Sequence, residues 1–129
     1  MMETIKKQLS FFGSALNIRN KRNEIIASNI ANAATPNYKA RDVNFYDEFK
    51  KVTRNGDIRI SHPEHITSKN YNISGKALYR EPVIASLDGN TVELSVEQMQ
   101  FSENALKYQT TLNFLNGKIG KLISAIKGE

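Results

Sequence analysis

The sixteen residues ASNIANAATPNYKARD, positions 27–42, indicate where a long helix ends and how the chain leaves it. Asn29 and Asn32 can bond to the backbone groups that are freed at a helix end. Pro36 cannot continue a helix and pushes the residue before it out of the α region. Tyr38 follows as a large side chain that can anchor the exit. The stretch therefore predicts that a helix stops here and that the chain turns outward.

A narrow apolar stripe leads up to this point and predicts a first helix over residues 4–33. Alternating steps of four and three residues keep such a stripe turned toward one partner helix. Two of its members, Arg19 and Asn23, are polar, and polar residues at such positions tend to fix register and partner choice. This stripe, called the first seam, consists of Ile5, Leu9, Phe12, Leu16, Arg19, Asn23, Ile26, Ile30 and Ala33.

A second stripe of the same spacing lies at the other end of the chain. It predicts a second helix that starts at a capping box formed by Ser95 and Gln98, with Glu97 in the first turn, where the helix dipole favours an anion. Gly128 is expected to end this helix. The stripe, called the second seam, consists of Phe101, Ala105, Tyr108, Leu112, Leu115, Ile119, Leu122 and Ile126.

Two seams of matching length predict a mainly α fold in which the terminal helices pair as a coiled-coil-like rod. Each helix is about 45 Å long at 1.5 Å per residue, so the pair cannot fold into a ball. The pairing can be parallel or antiparallel. We expect one domain built from both termini, with rod helices in 1–35 and 94–129 and an extended loop with a β-prone insertion in 36–93.

The middle segment contains three short β-prone pieces, at 58–60, 66–67 and 83–84, separated by turn-forming dipeptides. This pattern predicts a short hairpin within a loop. The segment is polar and short of large apolar residues, so it can cover little of the helices. Met99, Leu106 and Phe114 lie off the second seam and are therefore expected to be buried between subunits. We expect the isolated subunit to be partly disordered and to gain helix on assembly.

Composition excludes several classes of protein. The 129 residues include no cysteine, so disulfides, thiolate nucleophiles and sulfur-ligated metals are ruled out. No run approaches the roughly 20 apolar residues that span a bilayer, and the start of the chain lacks the pattern of a secretory leader. A net charge of +5 leaves a basic helical hairpin that binds nucleic acid as the alternative. We expect no nucleic acid partner, because Phe12, Phe101 and Tyr108 lie on the seams and not beside the basic residues.

The sequence offers little for catalysis or metal binding. His62, Glu64 and His65 are the one tight cluster of possible ligands, but Pro63 forbids a helical zinc motif there. Asp42, Asp47 and Glu48 could serve as acid and base, yet they lie on a polar stretch next to Lys and Arg. We therefore expect no enzyme, no metal site, no cofactor and no small-molecule substrate.

The stretch at 27–42 resembles the signature of bacterial flagellar rod, hook and hook-associated axial proteins, and it is closest to the proximal rod members. Resemblance extends to the second helix through 104–109, 114–119 and 124–128, and to an entry turn at 88–92. Ala34 and Asn37 depart from the Asp and Gly common in that signature, and asparagine is the next best residue for a left-handed turn. The matching motif residues, to which the resemblance assigns a role in assembly, are Asn29, Ala31, Asn32, Thr35, Pro36, Asn37, Tyr38 and Lys39.

The resemblance implies a structural subunit of the flagellar basal-body rod in the periplasm, in its proximal part. The alternative within the same family is another short axial rod protein. It would be exported by the flagellum's own type III apparatus, without a cleavable signal peptide. The implied partners are copies of itself, other rod proteins, the rod-base adapter protein FliE and the inner-membrane ring. The resemblance also implies positive φ at Asn37, which stands where the signature places glycine.

Overall fold

The computed structural model describes residues 2–54, 77–84 and 86–128. Its elements are α1 (Met2–Ala31), β1 (Arg41–Asp42), α2 (Phe45–Arg54), β2 (Leu78–Tyr79) and α3 (Leu94–Lys127), in that order. The two terminal helices have 30 and 34 residues, which corresponds to lengths of about 45 and 51 Å. The predicted mainly α fold with long terminal helices and a short β segment is confirmed.

Two contacts show that α1 and α3 pair in antiparallel fashion. Asn29 near the end of α1 donates a hydrogen bond to Glu97 at the start of α3, over 3.2 Å. Further back in α1, Asn23 accepts a hydrogen bond from Asn104 over 2.7 Å. Numbers therefore fall along α1 as they rise along α3. The last turns of α3 consequently lie at the end of the pair where α1 begins.

The centre of the α3 contact face is more polar than the second seam predicts. Glu97 and Asn104 are the buried residues of α3, whereas Phe101 and Ile119 remain 37% and 39% exposed and Ile126 is 85% exposed. The face is thus rotated slightly from the predicted stripe. Ile26 is fully buried, and the other predicted pairing residues are half-buried: Leu9, Phe12, Leu16, Ile30, Tyr108, Leu112, Leu115 and Leu122.

A small apolar core lies on another face of α1. Ile18, Ile25 and Val43 form its buried centre, with Phe45 and Phe49 packed against it. The rings of Phe45 and Phe49 stack with centroids 5.4 Å apart. This core attaches α2 to α1, so the chain has a third helix where an extended loop was expected.

Helix α2 corrects the prediction for the segment after β1. Asn44 caps the helix, because its Oδ1 accepts hydrogen bonds from the backbone N–H groups of Tyr46 at 3.1 Å and Asp47 at 3.4 Å. Asp47 and Glu48 occupy the first turn, where the helix dipole favours negative charge. These are the ordinary signals of a helix start, and the sequence analysis overlooked them.

Within the part of the chain that the structure describes, the β structure is one pair of two-residue strands. β1 and β2 are antiparallel, with Arg41 opposite Tyr79 and Asp42 opposite Leu78. The β-prone pieces at 58–60 and 66–67 lie outside the described residues. The third piece is wrong as a strand, because the N–H groups of Val83 and Ile84 both donate to the carboxylate of Glu93, at 2.7 and 3.1 Å.

The helix ends differ in detail from those predicted. α1 stops at Ala31, two residues before the predicted end, because the next turn tightens and the N–H of Ala33 bonds to the carbonyl of Ile30 over 3.2 Å. The capping box at Ser95 is wrong: α3 begins at Leu94 with Glu93 as N-cap and no side-chain cap. Gly128 does end α3, with φ 78°, as expected.

We predict that Ile18→Ala lowers the free energy of unfolding by about 2–4 kcal/mol, because it leaves a cavity in the core that joins α2 to α1. Ile126→Ala is the matched control, since that side chain is exposed, and should change stability by less than about 0.5 kcal/mol. Urea unfolding followed by circular dichroism measures both. Equal effects of the two substitutions would contradict the assignment of this core.

Candidate functional site

The candidate site is the junction where α1 ends and α3 begins. Asn90 is its centre and is 4% exposed. Its Nδ2 donates to the carbonyls of Asn32 at 3.1 Å, Ala33 at 2.8 Å and Thr35 at 3.0 Å. One amide with two hydrogens thus bridges three carbonyls of the turn that follows α1, of which those of Asn32 and Thr35 also accept from the N–H groups of Thr35 and Tyr38. The turn before α3 therefore holds the turn that follows α1.

Backbone contacts hold the exit from α1 against this turn. The N–H of Asn37 donates to the carbonyl of Asp88 over 2.9 Å, and the N–H of Thr91 donates to the carbonyl of Tyr38 over 3.0 Å. The hydroxyl of Thr91 accepts from the N–H of Ala40 at 2.7 Å. Two segments about fifty residues apart in sequence therefore run side by side.

Positive φ angles on both sides allow this close approach. Asn37 has φ 61°, which confirms the angle implied by the signature, and Gly89 has φ 72°. A Cβ added to Gly89 would lie 2.6 Å from Oδ1 of Asn37. Lys39 closes the contact by donating from Nζ to the carbonyl of Gly89 over 2.7 Å. The glycine is thus favoured here by its conformation, and an added Cβ would also displace the side chain of Asn37.

Asn29 connects three elements through one fully buried side chain. Its Nδ2 donates to the carbonyl of Arg41 at 2.6 Å and to Glu97 at 3.2 Å, while its Oδ1 accepts from the N–H of Arg41 at 3.1 Å. Tyr38 donates to the same oxygen from its hydroxyl at 3.4 Å. The amide therefore pairs with the backbone of β1 as a neighbouring strand would.

A cluster of two arginines and two carboxylates lies next to Asn29. Arg22 binds Asp42 through two nitrogens, at 2.9 and 3.0 Å, and also donates to Gln100 over 2.9 Å. Arg80 donates to Glu97 over 2.7 Å and lies 3.9 Å from Asp42. The hydrogen bonds to Asp42 raise the pKa of Arg22. The charges balance, so the cluster joins α1, β1 and α3 without leaving a net buried charge.

A buried amide lies further along the helix pair. Asn104 is fully buried and donates from Nδ2 to the carbonyl of Arg19 over 2.8 Å as well as to Asn23. The Oδ1 of Asn104 has no hydrogen-bond partner among the described residues. The guanidinium of Arg19 lies 4.2 Å from the centre of the Phe45 ring, and burial lowers its pKa. Both polar residues of the first seam are thus engaged inside the molecule.

The signature residues divide between the interior and the surface. Asn29 is buried, whereas Asn32 and Tyr38 are half-buried. Asn32 donates from Nδ2 to the carbonyl of Ser28 over 2.8 Å, so it bonds the helix end as expected. The hydroxyl of Tyr38 lies 3.2 Å from that of Ser28. The remaining signature residues are exposed: Ala31, Thr35, Pro36, Asn37 and Lys39.

Several residues of this site were not singled out from the sequence for the contacts they make. Arg22 was not predicted to bind Asp42, Asn90 was only one residue of a turn, and Asn104 was not identified as buried. Asp42 was considered as a catalytic carboxylate, but two arginines bind it. The one available signal was a polar residue between apolar neighbours at helical spacing. Asn104, between Phe101 and Tyr108, shows this pattern.

The other chemical candidates contribute no site in the described part of the chain. Glu48 pairs with Lys51 over 2.5 Å, and Asp47 lies in the first turn of α2. Residues 62–65, with both histidines, lie outside the described residues. Within 2–54, 77–84 and 86–128, no three side chains of His, Asp or Glu are grouped in a way that could hold a metal. None of the described helices is long and apolar enough to cross a membrane.

Comparison with known proteins identifies close relatives. A family model described as flagella basal body rod protein matches residues 9–39. The chain is 50% identical over 128 residues to the flagellar basal body rod protein FlgB of Cereibacter sphaeroides, covering 99% of this chain and 100% of that protein. It is 38% identical over 135 residues to FlgB of Escherichia coli K12 and 36% identical over 135 residues to FlgB of Proteus mirabilis, with 98% of each chain covered.

Among the described residues, the buried polar side chains other than Glu48 hold the two long terminal helices together, which is typical of a structural protein. The chain belongs to the flagellar basal body rod protein family. It is a structural subunit of the bacterial flagellar basal body rod, where it assembles with other rod components. The expectation that it is not an enzyme agrees with the role of these relatives.

We predict that Asn29→Ala costs about 2–4 kcal/mol of stability, because it leaves the N–H and carbonyl of Arg41 without their partner. Asn29→Asp should cost more, since it places a second carboxylate beside Glu97. Asn17→Ala and Asn17→Asp are controls at an exposed position of the same helix. Urea unfolding distinguishes the four variants. An Asn29→Asp variant as stable as the Asn17 controls would show that this amide does not hold the junction.

We predict that Gly89→Ala destabilises the junction through both its positive φ and the clash with Asn37. In an Asn37→Gly background the clash disappears, and the cost should fall to the ~1–2 kcal/mol of a left-handed alanine. Asn37→Gly alone should be tolerated, whereas Asn37→Val should be harmful because β-branched residues avoid positive φ. A double-mutant cycle by thermal unfolding measures the coupling. Strict additivity of the two changes would refute the contact.

Proposed function

We propose that the chain enters the rod through its paired terminal helices, with the outward side of α3 packing on neighbouring subunits. The observation that carries this proposal is the exposure of large apolar residues on a well-formed helix: Met99 is 63% exposed, Leu106 69% and Phe114 64%. Met99 and Leu106 lie roughly 140° and 160° from Asn104 around the helix axis, so they face away from α1. A set of apolar residues on one exposed side is typical of an interaction surface.

Within the described residues, the middle segment does not bury the exposed apolar side chains of α3. Leu78, Tyr79, Val83, Ile84 and Leu87 are themselves 53% to 109% exposed. These residues therefore add to the uncovered apolar surface and do not shield α3. Burial between subunits remains the arrangement that removes this surface from water.

The proposed neighbours are copies of the same chain, sibling rod proteins, the adapter protein FliE and the inner-membrane ring. We place the assembled subunit in the periplasmic part of the basal body as a proximal rod protein. The similarity over the full length to proteins named FlgB supports this placement. Export through the flagellar type III apparatus, without a cleavable signal peptide, is part of the same proposal. It is supported by a small apolar core, since the buried apolar side chains of the described residues are Ala15, Ile18, Ile25, Ile26, Ala40 and Val43.

The structure favours this proposal over a nucleic acid partner. The basic group at residues 19–22 would be the natural contact for a phosphate backbone. However, Arg19 stacks on Phe45, Arg22 binds Asp42, and Lys21 pairs with Glu24 over 3.0 Å. These side chains already have partners within the molecule. The basic group therefore no longer supports the nucleic acid hypothesis.

We predict that the double variant Leu106→Gln with Phe114→Gln stops swimming in cells that lack the wild-type chain. Each exposed side chain that becomes buried on assembly is worth about 1.5–3 kcal/mol, so the loss per subunit contact is large. The purified variant should keep its helical circular dichroism, because neither side chain supports the subunit's own core. Soft-agar motility and isolation of basal bodies measure the outcome.

The matched control for this experiment is Lys107→Gln with Asn113→Gln, which places the same residue type at adjacent exposed positions. This control should swim normally. Normal motility and complete rods in the Leu106 and Phe114 variant would rule out this side of α3 as an assembly surface.

A further inference from the structure

The apolar seams alone do not determine how far α3 is shifted along α1. The second seam repeats every seven residues, so a slip of seven places each apolar side chain where another apolar side chain was. Its two repeating sets are Phe101, Tyr108, Leu115 and Leu122, and Ala105, Leu112, Ile119 and Ile126. Hydrophobic contact is non-directional and discriminates poorly between such registers. Another interaction must select one of them.

The contacts of Glu97 oppose such a slip only in part. In the observed register Glu97 accepts hydrogen bonds from Asn29 over 3.2 Å and from Arg80 over 2.7 Å, and a slip would break both. A slip of seven residues toward the start of α1 would bring Glu97 opposite Arg22, which is seven residues before Asn29. A carboxylate opposite a guanidinium is a favourable pair. This new pair would offset part of the loss at Glu97.

Asn104 behaves differently because its partner is unique along α1. It is fully buried and donates to Asn23 over 2.7 Å and to the carbonyl of Arg19 over 2.8 Å. The positions seven residues on either side of Asn23 are Leu16 and Ile30. A slip in either direction would place a buried amide against an apolar side chain without a hydrogen bond, which is unfavourable.

The contact of Asn104 with α1 is also not the most stable arrangement for this position. The Oδ1 of Asn104 and the Nε of Arg19 are buried and have no hydrogen-bond partner among the described residues. A pair of apolar residues in place of Asn23 and Asn104 would avoid placing one buried and one half-buried amide at the centre of a helix pair. Polar residues retained at such positions are known to specify register and partner in coiled coils at the expense of stability.

We propose that Asn104 is a specificity-determining residue of the helix pair, in addition to the junction at Asn29 and Asn90. Through Asn23 it selects a single register of α3 along α1, over registers that are slipped by one heptad. The selection matters in an assembly where many helices of one pattern are packed together. This inference concerns pairing within the chain and does not rest on which surfaces form the rod.

The test uses the purified full-length chain and the double variant Asn23→Leu with Asn104→Leu. We expect its urea midpoint to rise, because a buried and a half-buried amide are replaced by apolar contact. We expect a second monomeric species, slipped by one heptad, to rise to about a tenth of the population or more. Two-dimensional NMR spectra count the species, and sedimentation equilibrium separates monomer from dimer.

A relocated pair provides the matched rescue. Leu16→Asn with Thr111→Asn, added to that double variant, moves both asparagines by one heptad and keeps their register. Both positions are half-buried in the present structure. We expect the relocated pair to restore one monomeric species, which a merely structural role for position 104 would not do.

Three results would overturn the proposal. The first is a double variant that stays a single monomeric species. The second is a double variant that fails to fold, because the pair would then be required for stability and not for selection. The third is a relocated pair that leaves the mixture unchanged.

Discussion

The buried amide of Asn29 is the constraint on which the rest of the structure depends. Its four hydrogen bonds reach the backbone of β1, the hydroxyl of Tyr38 and the carboxylate of Glu97. In this way one side chain orients the strand that follows α1 and the first turn of α3 at the same time. The arginine cluster and the contacts of Asn90 then complete the junction. Each of these polar groups would lack hydrogen-bond partners if the others were absent.

The gross architecture could be predicted because it depends on periodicity. Two seams of matching length predicted two long helices and their pairing, and Pro36 with Gly128 predicted where they end to within a few residues. Positive φ at Asn37 followed from the family signature. These are local or repetitive features, and a single sequence displays them directly.

The candidate site could be predicted only in part, because its chemistry joins residues that are distant in sequence. Asn90 binds the turn after a helix that ends 59 residues earlier, at Ala31, and nothing near Asn90 indicates this. Arg22 and Asp42 were not predicted to pair, because their contact depends on the fold of β1. The missed helix α2 and the wrong capping box at Ser95 have a local cause.

Asn44, with two acidic residues after it, is a better helix start than Ser95. The residue before α3 is Glu93, and its carboxylate binds the N–H groups of Val83 and Ile84 in the preceding loop.

The antiparallel pairing also determines when the subunit can become compact. Asn23 and Asn104 are 81 residues apart, and synthesis delivers the chain from its N-terminus at a limited rate. Helix α1 therefore exists for most of that interval without its partner, with one apolar side open to water. Contacts between such distant positions form slowly, because the loop between them must close first. The same geometry that gives a firm rod subunit thus leaves a period in which the growing chain is still open and within reach of other proteins.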